Sequence, residues 1–290
     1  MSLEAPIALL KQTCIKWDQH NCARLSASVA FYTLLSFTPL LIVLTAVVGL
    51  AVSKTSAEND LVYQAKNMVG ERGAEAVKTL LASAQKPSTG VFASIISFLL
   101  LLSGASGVFT ELRSALNLIW DATPRISSRV MDLVKERLFS FGIVLSVGFL
   151  LLVSLLISAA LAFITEFFAE RISVPPVLLE LANFLFSFAV ITFLFALLFK
   201  YVPAIQIAWR DIIVGAIGTA LLFTIGKLLL ALYLGRASFG SAYGAAGSLV
   251  AVIIWVYYSA QIFFFGGEFT RVYADAHGRT PKPLTKTASA

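Results

Sequence analysis

Long apolar stretches with few charges alternate along this chain with shorter connections in which the charges cluster. A helix needs roughly 20 apolar residues to cross a hydrocarbon core of about 30 Å. Six stretches have close to that length, at residues 25–52, 91–109, 139–164, 181–199, 212–234 and 247–267. The pattern predicts an all-α fold, a polytopic membrane protein with a bundle of six transmembrane helices and amphipathic surface helices.

Two segments outside these stretches carry apolar residues at helical spacing. Ile7, Leu10, Cys14 and Trp17 recur at intervals of 3, 4 and 3 residues, which predicts an interfacial helix within residues 1–24. In residues 53–90 a similar spacing links Leu61, Ala65, Met68, Ala76, Leu80 and Ala84. We expect that segment to form amphipathic helices lying on the outer membrane surface.

Lysine and arginine are unevenly shared between the two sides of the predicted bundle. Residues 1–24, the second and fourth connections and the tail at 269–290 hold 14 of them, against 7 in the other three connections. Positive charge collects on the cytoplasmic side, so both termini are predicted to be cytoplasmic and residues 53–90 periplasmic. The tail is expected to be disordered from Arg279 onward.

The composition excludes a soluble protein and argues against several kinds of chemistry. Of the residues, 58% are hydrophobic and only 13% charged, which is about half the usual charged share. The net charge of +6 suits loops that meet anionic lipid headgroups, so nucleic acid is not expected as a partner. His20 and His277 are the only histidines, and neither stands in a metalloprotease motif. We therefore expect no metal, no cofactor and no enzymatic activity, and we expect Cys14 and Cys22 to be free thiols.

Several residues inside the predicted spans are candidates to line a cavity or bind a substrate. Pro39 lies near the middle of the first span, where it produces either a simple kink or a broken helix that faces a cavity. Lys227 either extends toward the membrane surface, pairs with a buried acid, or lines a cavity shared with the first and sixth helices. Gly226 beside it would allow a neighbouring helix to approach closely.

The connection before the sixth span is rich in glycine and almost uncharged. Its residues Tyr243, Gly244 and Gly247 either dip to membrane depth, where backbone groups coordinate a solute, or form a tight turn. Gln261 follows within the sixth span and is a further candidate. Gly215, Ala216 and Gly218 in the fifth span are interpreted as a helix-packing surface.

Charged residues near the predicted inner face are candidates for a cytoplasmic mouth. They are Glu111, Arg113, Arg210, Asp211 and Glu268. Glu268 lies seven residues after Gln261, which places both on one helical face. The alternative is that each is an interfacial charge without a special role.

Several motifs resemble those of the YihY/BrkB family of bacterial inner-membrane proteins, formerly mislabelled ribonuclease BN. They are residues 30–41 (AFYTLLSFTPLL), 116–120 (LNLIW), 201–203 (YVP), 209–211 (WRD), 242–249 (AYGAAGSL) and 255–268. The resemblance implies a six-helix protein of the bacterial inner membrane with cytoplasmic ends, and an association with virulence and serum resistance in some members.

The absence of a recognisable soluble module makes the bundle itself the functional unit. We expect a transporter or permease-like protein for a small molecule or an ion. The alternative is a non-transporting membrane scaffold that acts in envelope organisation or virulence-associated resistance. Whether the chain forms a homo-oligomer is left open by the sequence.

Overall fold

The computed structural model describes residues 4–51, 71–84, 104, 107–122, 176–236, 247–279 and 282–283, with isolated positions between 58 and 66. Almost all of these residues are helical. The helices are α1 (Glu4–Gln19), α2 (Cys22–Ala51), α3 (Glu71–Ala84), α4 (residues 107–119), α5 (Pro176–Tyr201), α6 (Trp209–Arg236) and α7 (Gly247–Ala276). Strands β1 (Ile205–Gln206) and β2 (Lys282–Pro283) pair antiparallel over two residues each.

Within the described ranges, three helical segments are long and apolar enough to cross a membrane. They are Phe184–Tyr201, Trp209–Leu230 and Leu249–Ala276, which correspond to the predicted fourth, fifth and sixth spans. Helix α2 covers nearly the same residues as the predicted first span. The predicted spans 91–109 and 139–164 lie mostly outside the described residues, so the count of six stays a prediction.

Helices α6 and α7 pack closely through two reciprocal pairs of glycine and threonine. A Cβ atom added at Gly215 would lie 1.8 Å from Oγ1 of Thr270, and one added at Gly266 would lie 1.9 Å from Oγ1 of Thr219. Each threonine hydroxyl donates to the carbonyl of the glycine one turn earlier on its own helix, at 2.7 Å for Thr219 and 2.6 Å for Thr270. Ala216, beside the first pair, is fully buried. The predicted small-residue packing surface is therefore confirmed on α6.

The end of the bundle where α1, the start of α2 and the end of α7 meet is called here the α1 end. Its core contains Phe199 and Phe263, whose ring centroids are 5.1 Å apart, and the fully buried Leu116 and Ile119 of α4. Helix α7 continues to Ala276, past the predicted end of the sixth span at residue 267. Its last turns therefore lie beside α1, and they carry the charged residues of the site described below.

Helix α1 docks on α7 through a face other than the apolar stripe that predicts an interfacial helix. Thr13 is buried there and Trp17 is half-buried, whereas Ile7, Leu10 and Cys14 are exposed. The exposed side chains of Ile7, Leu10 and Cys14 are available to contact lipid. The buried side chain of Thr13 lies on the face that contacts the rest of the protein. Its hydroxyl donates to the Leu9 carbonyl at 2.8 Å, so burying Thr13 leaves that donor satisfied.

Helix α3 packs against α2 and α7. Its described buried residues are Ala74, Val77 and Leu81, and Val62 and Ala65 pack on the last two. The spacing predicted a helix here correctly. The side chains of Ala76, Leu80 and Ala84 lie outside the described part of the chain, so the predicted face through them stays a prediction.

Candidate functional site at the α1 end

A tight turn between α1 and α2 brings two chemically active side chains together. The amide of His20 donates to the Lys16 carbonyl at 2.9 Å, and the amide of Asn21 donates to the Asp18 carbonyl at 2.9 Å. Asn21 has a φ of 52°, a left-handed conformation that asparagine tolerates better than most residues. Because the chain reverses within two residues, His20 and Cys22 both face the last turns of α7.

Glu268 is the side chain that they meet. It is fully buried on α7, where its Oε1 atom lies 2.5 Å from Nδ1 of His20 and 3.8 Å from Sγ of Cys22. Its second oxygen, Oε2, is buried and has no hydrogen-bond partner among the described residues. Glu268, His20 and Cys22 are called here the Glu268 site. A buried carboxyl oxygen without a hydrogen-bond partner is energetically costly, which makes this group a candidate for a functional role.

Two further buried donors lack a partner in the same part of the core. The indole Nε1 atoms of Trp17 and Trp120 are both buried with no hydrogen-bond partner among the described residues. Trp120 and Cys22 belong to one cluster of buried side chains, against which Trp17 packs. The Glu268 site therefore borders a core that offers unused hydrogen-bond donors as well as an unused acceptor.

Arg271 anchors α7 to the end of α4, one turn after Glu268. Its guanidinium donates to the Ile119 carbonyl and to the carboxylate of Asp121. That hydrogen bond holds the pKa of Asp121 below its usual range, despite the opposing effect of partial burial. Asp121 has a φ of 47°, so the chain leaves α4 through a left-handed residue that turns its carboxylate toward α7.

Two more ion pairs join chain segments around the site. Nζ of Lys16 on α1 lies 3.3 Å from Oδ2 of Asp275 on α7. Nη1 of Arg279 lies 2.5 Å from Oδ1 of Asp211, whose side chain is only 1% exposed at the start of α6. The second pair holds the chain beyond α7 against α6, close to where β2 pairs with β1. Residues 282–283 form β2, whereas residues 280–281 and 284–290 lie outside the described residues, so the disorder expected of the tail stays a prediction.

The connection from α5 to α6 is fixed by two side chains. The buried Asn117 of α4 accepts a hydrogen bond from the amide of Ala204 at 2.8 Å. Lys200 donates to the Ile207 carbonyl at 2.6 Å, and its Nζ lies 5.5 Å from the centre of the Trp209 ring. Four of the motifs quoted in the sequence analysis, at 116–120, 201–203, 209–211 and 255–268, therefore converge at the α1 end.

The five predicted mouth residues do not form a single charged ring. Glu268 and Asp211 are buried and hold separate partners, whereas Arg210 is exposed to solvent or lipid. Glu111 and Arg113 on α4 are half-buried. Glu268 and Asp211 each make a polar contact that links different segments of the chain.

The predicted cavity residues are also dispersed. Helix α2 runs through Pro39 without interruption, which favours a kink over a broken helix. Gly247 is the first residue of α7, and Gln261 is half-buried on that helix. Tyr243 and Gly244 lie outside the described residues.

Lys227 lines a pocket of about 250 Å³ between α5 and α6. Among the described residues, the walls of that pocket come from these two helices. This differs from the expected cavity shared with the first and sixth spans. Gly226 instead faces α7, where an added Cβ would lie 2.7 Å from Ile262 and 2.8 Å from Tyr258.

Sequence reasoning identified Glu268 but missed its partners. No motif or spacing in the sequence marks His20 or Cys22 as a partner of Glu268. The pairing of His20 with Glu268 joins residues 248 positions apart, which no local spacing reveals. Both cysteines are free, as expected, and no three His, Cys, Asp or Glu side chains within the described ranges are placed to hold a metal ion.

Comparison with known proteins gives a consistent set of matches. A family profile described as "Virulence factor BrkB" matches residues 13–290. A UPF0761 membrane protein of Glaesserella parasuis is 28% identical over 200 residues, which cover 66% of this chain and 67% of that protein. A UPF0761 membrane protein of Cronobacter sakazakii is 25% identical over 280 residues, which cover 93% and 89% of the two chains.

Some relatives are considerably longer than this chain. A UPF0761 membrane protein of Nitrosospira multiformis is 25% identical over 265 residues, which cover 90% of this chain but only 59% of that protein. A comparison with solved structures gives no match. The similarity therefore concerns a membrane protein sequence family and carries no solved fold with it.

Proposed function

This chain belongs to the virulence factor BrkB family, and we propose that it is a transporter or permease-like protein of the bacterial inner membrane. It spans the membrane several times with both termini in the cytoplasm, so the α1 end faces the cytoplasm. Its substrate is a small molecule or an ion, and it catalyses no covalent chemistry. The family name alone does not assign this activity, so the proposal rests on the site.

The observation that carries the proposal is the buried carboxyl of Glu268. It lies on a helix long and apolar enough to cross a membrane, and its Oε2 atom has no partner among the described residues. Ionisable groups inside membrane helices are rare, and they commonly mark ion or substrate pathways and proton relays. His20 occupies Oε1 of Glu268, so Oε2 is left to bind a proton or a polar group of a solute.

The pairing with His20 suggests how binding could be coupled to movement. The α1–α2 turn contacts α7 through the hydrogen bond between His20 and Glu268. A polar group of a solute that took the place of His20 at Glu268 would weaken this contact. Breaking this contact would loosen the α1 end, which is the opening step that alternating access requires.

A second candidate function, a non-transporting scaffold, is favoured by the three ion pairs around the site. The pairs Lys16–Asp275 and Arg271–Asp121 join α7 to α1 and to the end of α4, and the pair Arg279–Asp211 joins the residues after α7 to α6. Together they hold the α1 end closed. A permanently closed end would suit a protein that only organises other components of the envelope.

Flux through purified protein in liposomes separates the two functions. The wild-type protein should drive uptake or efflux of at least one solute from a broad panel when a proton or sodium gradient is imposed. Glu268→Gln keeps the size of the side chain but removes its charge, and it should reduce that flux at least tenfold. The matched control is Glu71→Gln, which makes the same change at an exposed carboxylate on α3.

Each outcome of that experiment has a definite meaning. Flux that is lost in Glu268→Gln and kept in Glu71→Gln supports transport through the Glu268 site. Wild-type protein that is inactive across the whole panel under both gradients favours the scaffold. Flux that is equal in all three proteins contradicts the role given to Glu268.

A further inference from the structure

The pocket that contains Lys227 has an unusual combination of surfaces. Its walls come from α5 and α6 and are mainly aromatic and aliphatic, with two hydroxyl side chains. The lining residues are Phe184, Ser187, Phe188, Ile191, Phe223, Thr224, Lys227 and Leu228. Lys227 carries the only charge in this described lining. A single cation in an otherwise apolar pocket matches a ligand with one anionic group and a hydrophobic body.

The position of the pocket shows from which side a ligand would enter. Gly226 packs against Tyr258 of α7, so the next residue on α6 is turned away from the centre of the bundle. Phe184 and Leu228, which also line the pocket, are 51% and 59% exposed. Ile225 and Leu229 beside them are exposed too, which makes this face of α6 apolar. The pocket therefore opens toward the acyl chains of the bilayer.

The depth of Lys227 suits the headgroup region of one leaflet. It lies nine residues before Arg236 at the end of α6, or about 13 Å along the axis at 1.5 Å per residue. The four-carbon stem of lysine can carry its ammonium much of that distance back toward the membrane surface. The ammonium can then meet a headgroup while the phenylalanine rings below it contact an acyl chain.

We propose that the groove between α5 and α6 binds one anionic lipid, whose headgroup pairs with Lys227 and whose acyl chain lies against Phe184 and Phe188. Those two rings stack with their centroids 6.3 Å apart and form a continuous apolar wall. Free phosphate would have to leave water for this apolar pocket and gain only one cation in return, which is unfavourable. The groove is separate from the Glu268 site, so it does not depend on whether the protein transports a solute.

Native mass spectrometry of the full-length protein tests this binding. The protein is mixed in micelles with phosphatidylglycerol and phosphatidylcholine that carry identical acyl chains, and the ratio of the two bound lipids is measured. Wild-type protein should prefer phosphatidylglycerol, and Lys227→Gln should lower the ratio by about fivefold, the value of one lysine near an anionic headgroup. Lys227→Arg keeps the charge and should keep the preference.

The controls decide between the lipid and other occupants. Lys78→Gln removes an exposed lysine from α3 and should leave the ratio unchanged. An unchanged ratio in Lys227→Gln, or an equal fall in Lys78→Gln, would overturn the proposal. So would displacement of the lipid by added sodium phosphate, which would identify a free anion as the occupant. Loss of a dimer mass in Lys227→Gln without a change in lipid ratio would instead point to a second copy of this chain, and would also overturn it.

Discussion

Replacing Gly266 with alanine tests whether the close contact between α6 and α7 holds the Glu268 site together. The added Cβ would lie 1.9 Å from Oγ1 of Thr219 and 2.8 Å from its Cβ and Cγ2 atoms. The threonine cannot simply rotate away, because its hydroxyl donates to the Gly215 carbonyl at 2.7 Å. One of the two helices must therefore move.

The expected cost follows from two opposing effects. Overpacking of a close-packed interior costs about 1–3 kcal/mol, and the hard overlap with Thr219 places this case in the upper part of that range. Alanine returns up to about 1 kcal/mol because it favours the helix more than glycine does. We expect a net loss of about 1–2 kcal/mol in the free energy of unfolding for Gly266→Ala.

The chain provides its own reporter for this measurement. With Cys14 changed to serine, Cys22 is the only remaining cysteine, and it is fully buried beside Glu268. Its reaction with a thiol-reactive fluorophore during heating reports when the site opens. At about 2–4 °C per kcal/mol, the scaling of globular proteins, Gly266→Ala should lower the labelling midpoint by roughly 2–8 °C.

Two further variants make the test specific. Gly218→Ala is the matched control, because its added Cβ would lie 3.6 Å from the nearest atom of Phe269, an ordinary contact. Its midpoint should stay the same or rise slightly. Thr219→Ala combined with Gly266→Ala should recover part of the loss, since it removes the nearest oxygen but leaves the Cβ atom. Equal midpoints for Gly266→Ala and Gly218→Ala would refute the packing argument.

Three other predictions concern topology and the charges at the α1 end. Cysteines introduced at Glu71 and Ala288, in a background without native cysteines, should differ in labelling by an impermeant maleimide on intact spheroplasts. The cysteine at position 71 should be labelled and the one at position 288 should not. The reverse pattern would contradict cytoplasmic termini. Arg279→Gln should lower the free energy of unfolding, measured by detergent denaturation, by about 3 kcal/mol, because it leaves the buried carboxylate of Asp211 unpaired. Asp211→Asn should lower it less, because the unpaired Arg279 is partly exposed. Equal losses would contradict this account. The folded pKa of Asp121 is lowered, so its stabilising contribution is present above the unfolded pKa and is lost as pH falls through the folded one. Stability measured in acid should therefore fall less steeply in Asp121→Asn than in wild type.

The positions of the long helices could be read from the sequence because the requirement that sets them is local. Helices α5 and α6 each lie within a few residues of an apolar stretch counted on the sequence alone. Helix α7 begins where predicted but continues to Ala276, although Glu268 and Arg271 looked like the end of a span. Partners for those charges come from the α1–α2 turn, which contacts Glu268, and from the end of α4, which contacts Arg271. The sequence pattern could not show those partners.

By itself, the sequence determined that this is a helical membrane protein and which segments are apolar enough to cross a bilayer. It also showed that Glu268 is an unusual residue at the end of one of those segments. Only the tertiary structure decided that Glu268 meets His20 and Cys22. That contact depends on the left-handed turn at Asn21 and on the Gly266–Thr219 approach of α7 to α6. Apolar length is a property of consecutive residues, whereas this contact joins both ends of the chain and arises only when the helices pack.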